Sequence, residues 1–203
     1  MKIVSIKKNE LNEAEELNKQ VVEIKVSECN LDCTNCIDVE FRETNWQKYS
    51  VDTILKKISE FENDFVLITG GEPLMYFETP IICNALYSMG KKVYLKTNGT
   101  GPLENIPAHT VKIINFKLPS TGEGGSFFFE NLLYMTGNDY LKFEIQSKQD
   151  LDFAMETVNK LAPAKVVFTF IFKINKSNVD FIEKVKNIFC SYADLKYTLK
   201  LFE

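Results

Sequence analysis

From Val21 onward, short β-branched and apolar runs alternate with longer segments whose apolar positions recur at helical spacing. That is the pattern of parallel strands joined by crossover helices. The runs predict strands over Val21–Ser27, Phe65–Thr69, Lys92–Thr97, Val111–Lys117, Tyr140–Ile145 and Val166–Phe172, with a further candidate at Leu195–Leu201. Val51, Ile54, Leu55, Ile58 and Phe61 fall on one helix face, and Ser50 or Asp52 can cap its start. A second helix is predicted from Thr79-Pro80, a capping hydroxyl followed by proline in the first turn, to Gly90. Ser147-Lys148-Gln149-Asp150 and Ser177-Asn178-Val179-Asp180 each set an acid three residues after a serine, close to a capping box, and mark two more helix starts. Residues 1–20 are polar with scattered apolar positions; they are expected to form a surface strand or extension, leaving 21–203 as a single domain.

A complete eight-stranded β/α barrel takes about 250 residues. The 203 residues here therefore predict an α/β fold of the incomplete-barrel type, with about six parallel strands and crossover helices. Ligands in such folds bind at the carboxyl ends of the strands. Phe127-Phe128-Phe129, behind Gly122-Glu123-Gly124-Gly125, reads as a packing anchor following a flexible loop.

Composition narrows the function classes. With 45% hydrophobic, 12% aromatic and 26% charged residues, the chain can bury a core and is not globally disordered. Its net charge is −4 with dispersed basic residues, so the dense positive field of a nucleic-acid binder is absent. The longest nearly apolar run, Val166 to Phe172, is seven residues, against about 20 for a membrane helix. Neither nucleic acid nor membrane is expected as a partner. The charged N-terminal stretch lacks the apolar segment of a secretory signal, which points to the cytoplasm. Five cysteines are too odd a number for a disulfide framework, and three of them fall within eight residues. In a reducing compartment such clustering favours metal or cluster ligation.

Cys29, Cys33 and Cys36 form Cys-x3-Cys-x2-Cys directly after the first predicted strand of the domain. Structural zinc is normally closed by four ligands, yet His109 is the only histidine and Cys83 and Cys190 sit in predicted helices. Three thiolates on a 4Fe-4S cubane instead leave one iron open to a small molecule. A zinc knuckle closed by His109 or Asp32, or a set of buried thiols, remains the alternative. Thr69-Gly70-Gly71-Glu72-Pro73 follows the next strand; paired glycines admit close backbone approach, and proline stiffens the exit. Adjacent parallel strands bring both loops to one rim. His109 reads as a bystander in a surface loop, and Cys83 and Cys190 as small buried hydrophobes. Trp46, Phe41 and Tyr49 either cover the cysteine loop or pack ordinarily, and Glu144 and Gln146 face either the site or solvent.

The pairing of Cys29–Cys36 with Gly70-Gly71-Glu72-Pro73 resembles the radical S-adenosylmethionine (SAM) enzymes. That resemblance implies a 4Fe-4S cluster on Cys29, Cys33 and Cys36, whose unique iron chelates SAM, and a glycine-rich turn against the methionine moiety. Reductive cleavage of SAM would give a 5′-deoxyadenosyl radical. Lys96-Thr97-Asn98-Gly99-Thr100, Phe116-Lys117-Leu118-Pro119-Ser120 with Gly122, and Leu141-Lys142-Phe143 leading to Asp150 add a closer resemblance to the 7-carboxy-7-deazaguanine synthases, over roughly residues 21–155.

In that family the reaction converts 6-carboxy-5,6,7,8-tetrahydropterin for queuosine and deazapurine biosynthesis, with magnesium, as a lyase. The resemblance implies SAM contacts from Asn35, Gly70, Gly71, Glu72, Asn115, Phe116 and Lys117, and a substrate contact from Thr69. It also implies an electron donor such as flavodoxin or ferredoxin, and a homodimer. The chain departs from the pattern in several places. Asn35 stands where an aromatic residue precedes the third cysteine, and Ile37-Asp38 stands where an Asp-Thr pair binds magnesium. Asp38 is a hard oxygen donor that can serve instead, an exposed aspartate being the alternative. No Gln-Gly-Glu-Gly segment precedes Cys29, and no Gln-x-His-Lys stretch occurs in Leu195–Glu203. A radical SAM activase acting on a glycine of a partner protein, and a non-enzymatic zinc-binding module, are the competing functions.

Overall fold

Strand β1 (Lys2–Leu11) pairs antiparallel with β2 (Lys19–Val26), and its other edge carries the short β3 (Gln47–Lys48). Beyond β2 the sheet is parallel throughout, through β4 (Phe65–Gly70), β5 (Lys92–Thr97), β6 (Val111–Phe116), β7 (Tyr140–Ile145), β8 (Val167–Asn175) and β9 (Lys196–Phe202). The order is β3-β1-β2-β4-β5-β6-β7-β8-β9, so the parallel strands follow one another in sequence, as in a partial barrel. The computed structural model describes residues 1–11, 19–34, 36, 45–161, 167–175, 183 and 196–202, with backbone only for 167–175 and 196–202. Among them lie helices α1 (Val51–Ser59), α2 (Thr79–Ser88) and α3 (Lys148–Leu161). No helix among the described residues is long and apolar enough to cross a membrane.

Local chemistry sets these elements. Ser50 caps α1 by accepting from the Thr53 N–H at 3.2 Å. Ile54 and Ile58, four apart on one face, are completely buried, each contributing about 1.5–3 kcal/mol of transfer free energy. The second helix starts as expected, but Thr79 is not its cap. Glu78 holds the cap position without a side-chain bond, and the Thr79 hydroxyl donates to the Pro73 carbonyl at 2.6 Å. The helix start expected at Ser177–Asp180 lies outside the described residues, as does Cys190.

Strand alternation divides the sheet into two faces. Val22, Ile24, Val66, Ile68, Val93, Leu95, Ile114, Phe116, Leu141 and Phe143 pack against Ile54, Ile82, Leu86, Leu151 and Ala154 of the helices. The other face carries a smaller cluster, Leu11, Val21, Leu67, Tyr94, Ile113 and Tyr140. Toward the carboxyl ends this second face turns polar, with Thr69, Asn115, Lys142 and Glu144. Among the described residues seven strands are parallel, and the seventh candidate at Leu195–Leu201 belongs to the sheet as β9.

Of the two expectations for the first residues, a surface strand or an extension, the strand is the one that forms. Residues 2–11 are part of the same sheet, and Met1, Ile3 and Leu11 are buried in its two cores. Phe127 is the packing anchor expected of the phenylalanine triplet, its ring 5.1 Å from that of Phe116, whereas Phe128 and Phe129 are exposed.

Candidate active site

The carboxyl ends of β2 and β4 lie side by side, Val26 paired with Gly70, and the chains leaving them cross at very short range. The Gly71 N–H donates to the Val26 carbonyl at 2.9 Å and the Glu72 N–H to the Glu28 carbonyl at 2.6 Å. A Cβ on Gly70, whose φ is +110°, would lie 2.2 Å from the Val26 oxygen; one on Gly71 would lie 2.1 Å from the Glu28 oxygen. The two glycines are thus required by the segment that runs into Cys29. Tyr76 adds a further tie, its hydroxyl accepting from the Glu28 N–H at 3.3 Å.

Glu72 is the buried anchor of this crossing, only 1% exposed. Its carboxylate accepts from the Leu74 N–H at 2.8 Å, the Thr97 hydroxyl at 2.7 Å and the Asn98 N–H at 2.6 Å. Burial pushes its carboxyl up from the ordinary range, while those three donors and the Lys117 ammonium pull it down. With the carboxylate turned inward to these donors, only the Glu72 backbone is left for a ligand.

Cys29, Cys33 and Cys36 are half-buried in the loop after β2. The turn behind β6 braces that loop. The Thr34 N–H donates to the Thr121 carbonyl at 3.0 Å, and the Asp32 N–H to Glu123 Oε1 at 2.8 Å. Glu123 therefore works as a brace, within a segment expected from sequence to be a flexible loop. Burial pushes the Cys33 thiol up and the Lys117 ammonium opposes it, with Cys29, Glu123 and Cys36 adding smaller upward contributions. Lys117 thus sets a positive charge near Cys33.

Asp150 fixes the brace itself. Completely buried at the start of α3, it forms the expected capping box: its N–H donates to Ser147 Oγ at 3.1 Å and its carboxylate accepts from the Ser147 and Gln146 N–H groups. The other carboxylate oxygen accepts from the Ser120 N–H at 2.9 Å, holding the turn behind β6. Asp150→Ala strands these donors and is expected to cost about 3 kcal/mol, lowering Tm by roughly 6–12 °C in a thermal melt. Asp150→Asn should lose less.

Other sequence expectations fare differently. Thr69, 9% exposed, sits on the polar face in register with Lys25, and Asn115 in register with Lys142, whose ammonium lies 2.7 Å from Glu144. Glu144 therefore belongs to this face rather than to solvent alone. Alternation sends the Phe116 ring to the helix side, 2% exposed among Phe127, Phe143 and Phe153, which leaves its backbone as the part open to a ligand. Trp46 lies under the Lys2 ammonium beside β1, and the Tyr49 N–H pairs with the Met1 carbonyl, so neither is shown covering the cysteines. His109 stacks on Tyr87 at 3.7 Å just before β6, at the amino end of the strands and so opposite the cysteine rim. Asn35, Asp38 and Phe41 lie outside the described residues.

Sequence reasoning missed Asn98, which joins the cysteine loop to the Glu72 turn. Its Nδ2 donates to Asn30 Oδ1 at 3.0 Å and lies 4.0 Å from Cys29 Sγ, while the Asn30 side chain donates to the Thr100 hydroxyl at 2.7 Å. The sequence marks it only as part of Lys96–Thr100, one of the segments that carry the resemblance, and assigns it no role.

The family model of the radical SAM superfamily matches residues 24–187. The chain belongs to the radical SAM superfamily. Among curated relatives, it is 36% identical over 151 residues to a 7-carboxy-7-deazaguanine synthase of Koribacter versatilis, covering 73% of this chain and 66% of the relative. A 7-carboxy-7-deazaguanine synthase of Thermoplasma acidophilum is 30% identical over 139 residues, covering 68% and 66%. The chain thus spans just under two thirds of the length of these relatives. Among solved structures, Escherichia coli QueE superposes with a TM-score of 0.81 at 17% identity, covering 98% of this chain and 93% of that one. Streptococcus suis SuiB bound to precursor peptide SuiA gives 0.62 at 13% identity, covering 86% and 47%. These likenesses carry the fold.

Radical SAM membership implies a 4Fe-4S cluster and SAM, and the donor set fits. Three cysteines share one half-buried loop, beside a turn whose backbone is stripped of side chains at Gly70 and Gly71. Among the described residues, no three Cys, His, Asp or Glu groups gather closely enough to hold a single ion. A cubane asks for something else, one thiolate at each of three iron corners. The zinc-module alternative gives way to superfamily membership.

Proposed function

We propose that this chain converts 6-carboxy-5,6,7,8-tetrahydropterin to 7-carboxy-7-deazaguanine. The observation that carries the reading is the crossing of the segment that runs into Cys29 with the Gly70–Glu72 turn at one carboxyl rim, supported by the likeness to curated synthases. Cys29, Cys33 and Cys36 hold the cluster. The Gly70–Glu72 backbone, Asn35, Asn115, Lys117 and the Phe116 backbone line SAM, and Thr69 offers its hydroxyl to substrate from the end of β4. When bound, the cluster and SAM supply a 5′-deoxyadenosyl radical, the hard chemistry that the fold needs only to position and shield.

Each protein group then has a physical task. The Lys117 charge offsets that of the Cys33 thiolate it lies near. The buried Glu72 carboxylate ties the turn to Thr97 and Asn98 at the end of β5. The Lys142–Glu144 pair places opposite charges on the face that Thr69 also borders, as a small polar ligand requires. Asp38 supplies an oxygen to magnesium. The proposal includes a low-potential donor of the flavodoxin or ferredoxin class and a homodimer.

Anaerobic incubation of the reconstituted protein with SAM, dithionite and the pterin, followed by mass spectrometry, tests the assignment. The expected product is 7-carboxy-7-deazaguanine. Formation of 5′-deoxyadenosine without it would keep the radical chemistry and remove the substrate.

A further inference from the structure

Asn98 immediately follows β5 and is 6% exposed, and its N–H and both ends of its side-chain amide have defined tasks. Its N–H donates to Glu72 Oε2 at 2.6 Å. Its Oδ1 accepts from the Thr100 N–H at 2.9 Å and the Thr100 hydroxyl at 2.8 Å. The backbone donor at Thr100 fixes which way the amide is turned, since reversing it would set an NH2 group against an N–H. The Nδ2 end must then face the cysteine loop. One of its two hydrogens is taken by Asn30 Oδ1 at 3.0 Å, and Cys29 Sγ stands 4.0 Å from the same nitrogen.

We propose that Asn98 is a positioning residue that donates an N–H···S hydrogen bond to the Cys29 thiolate and thereby raises the reduction potential of the cluster. The proposal rests on Cys29 being a cluster ligand. Donors to ligating sulfur withdraw charge from the iron and favour the reduced state, and groups outside the ligand shell orient the ligands themselves. Through Glu72, the same residue ties the cluster side of the rim to the turn assigned to SAM. Asn30 holds the amide at its second hydrogen, which leaves little freedom for the first.

The test is an anaerobic redox titration of the reconstituted protein, followed by EPR without SAM. Asn98→Ala removes the donor without adding charge. Asn98→Asp keeps the acceptor for Thr100 and the backbone bond to Glu72 but turns an oxygen toward Cys29. Both are expected to shift the midpoint potential downward, Asn98→Asp further, while Thr100→Val leaves it in place. A purely structural role would lower iron loading and leave the potential of the loaded fraction unchanged; that result overturns the proposal. If neither variant holds a cluster, the parent carries the test: asparagine labelled with 15N at the side-chain amide should give a hyperfine coupling to the reduced cluster. Its absence would overturn the proposal. Failure of the ligand assignment looks different, since the reconstituted parent would then carry no cluster at all.

Discussion

Cys33→Ala is expected to give a folded, colourless protein that cleaves no SAM. Three thiolates are the fewest that can hold a cubane while leaving one corner for a small molecule, and Cys33 is the middle one of the trio. Removing it leaves two, and no other cysteine of the described chain lies at this rim. Cys83 is buried in α2, where burial pushes its thiol up to about 11, and it stays there as a protonated core residue. The fold should tolerate the change, because a half-buried loop position typically costs about 1 kcal/mol. Circular dichroism near that of the parent, with iron absent and 5′-deoxyadenosine at background, is the expected set of results. Cys83→Ala is the control and should load iron normally. A Cys33→Ala protein that stays brown and cleaves SAM at the parent rate would remove the ligand assignment.

Gly71→Ala should damage both stability and cluster loading. The added Cβ would meet the Glu28 oxygen at 2.1 Å and the Ser27 oxygen at 2.7 Å. Both are backbone atoms, so no side chain can rotate away. The chain running into Cys29 must move, which strains the 2.6 Å bond from the Glu72 N–H to the Glu28 carbonyl. Overpacking of this kind costs about 1–3 kcal/mol before the lost bond is counted. The expected outcome is a lower midpoint in urea and iron occupancy well under half that of the parent. Gly90→Ala separates space from backbone strain: Gly90 has φ +77° with nothing within 4 Å of the added atom. It should cost about 1–2 kcal/mol and leave iron loading intact. Equal loading in the two variants would contradict the crossing described here.

Much of the parallel sheet could be read from the chain because its signals are local. β-branched runs mark β4 through β7, Ser50 caps α1, and Ser147 with Asp150 closes the box at α3. The cysteine trio was equally visible, since its spacing lies within one loop. Groups whose partners are distant in sequence were hidden. Asp150 also accepts from Ser120, thirty residues away, and Glu72 from Thr97 and Asn98, and no local pattern marks such bonds. β1 was obscured because Lys7, Lys8, Asn9 and Glu10 are exposed on a strand whose apolar anchors, Ile3 and Leu11, stand at its two ends. The inward turn of the Phe116 ring is legible as well: in β6, period-two alternation puts Ile113 and Asn115 on one face and Ile114 and Phe116 on the other.

The most direct measurement is EPR of the anaerobically reconstituted, dithionite-reduced protein before and after SAM is added, alongside iron and sulfide analysis. A site built from three thiolates and one open iron should carry about four of each per chain, and its reduced spectrum should change when SAM binds. A spectrum that SAM leaves unaltered, or a colourless protein holding zinc in place of iron, would contradict it.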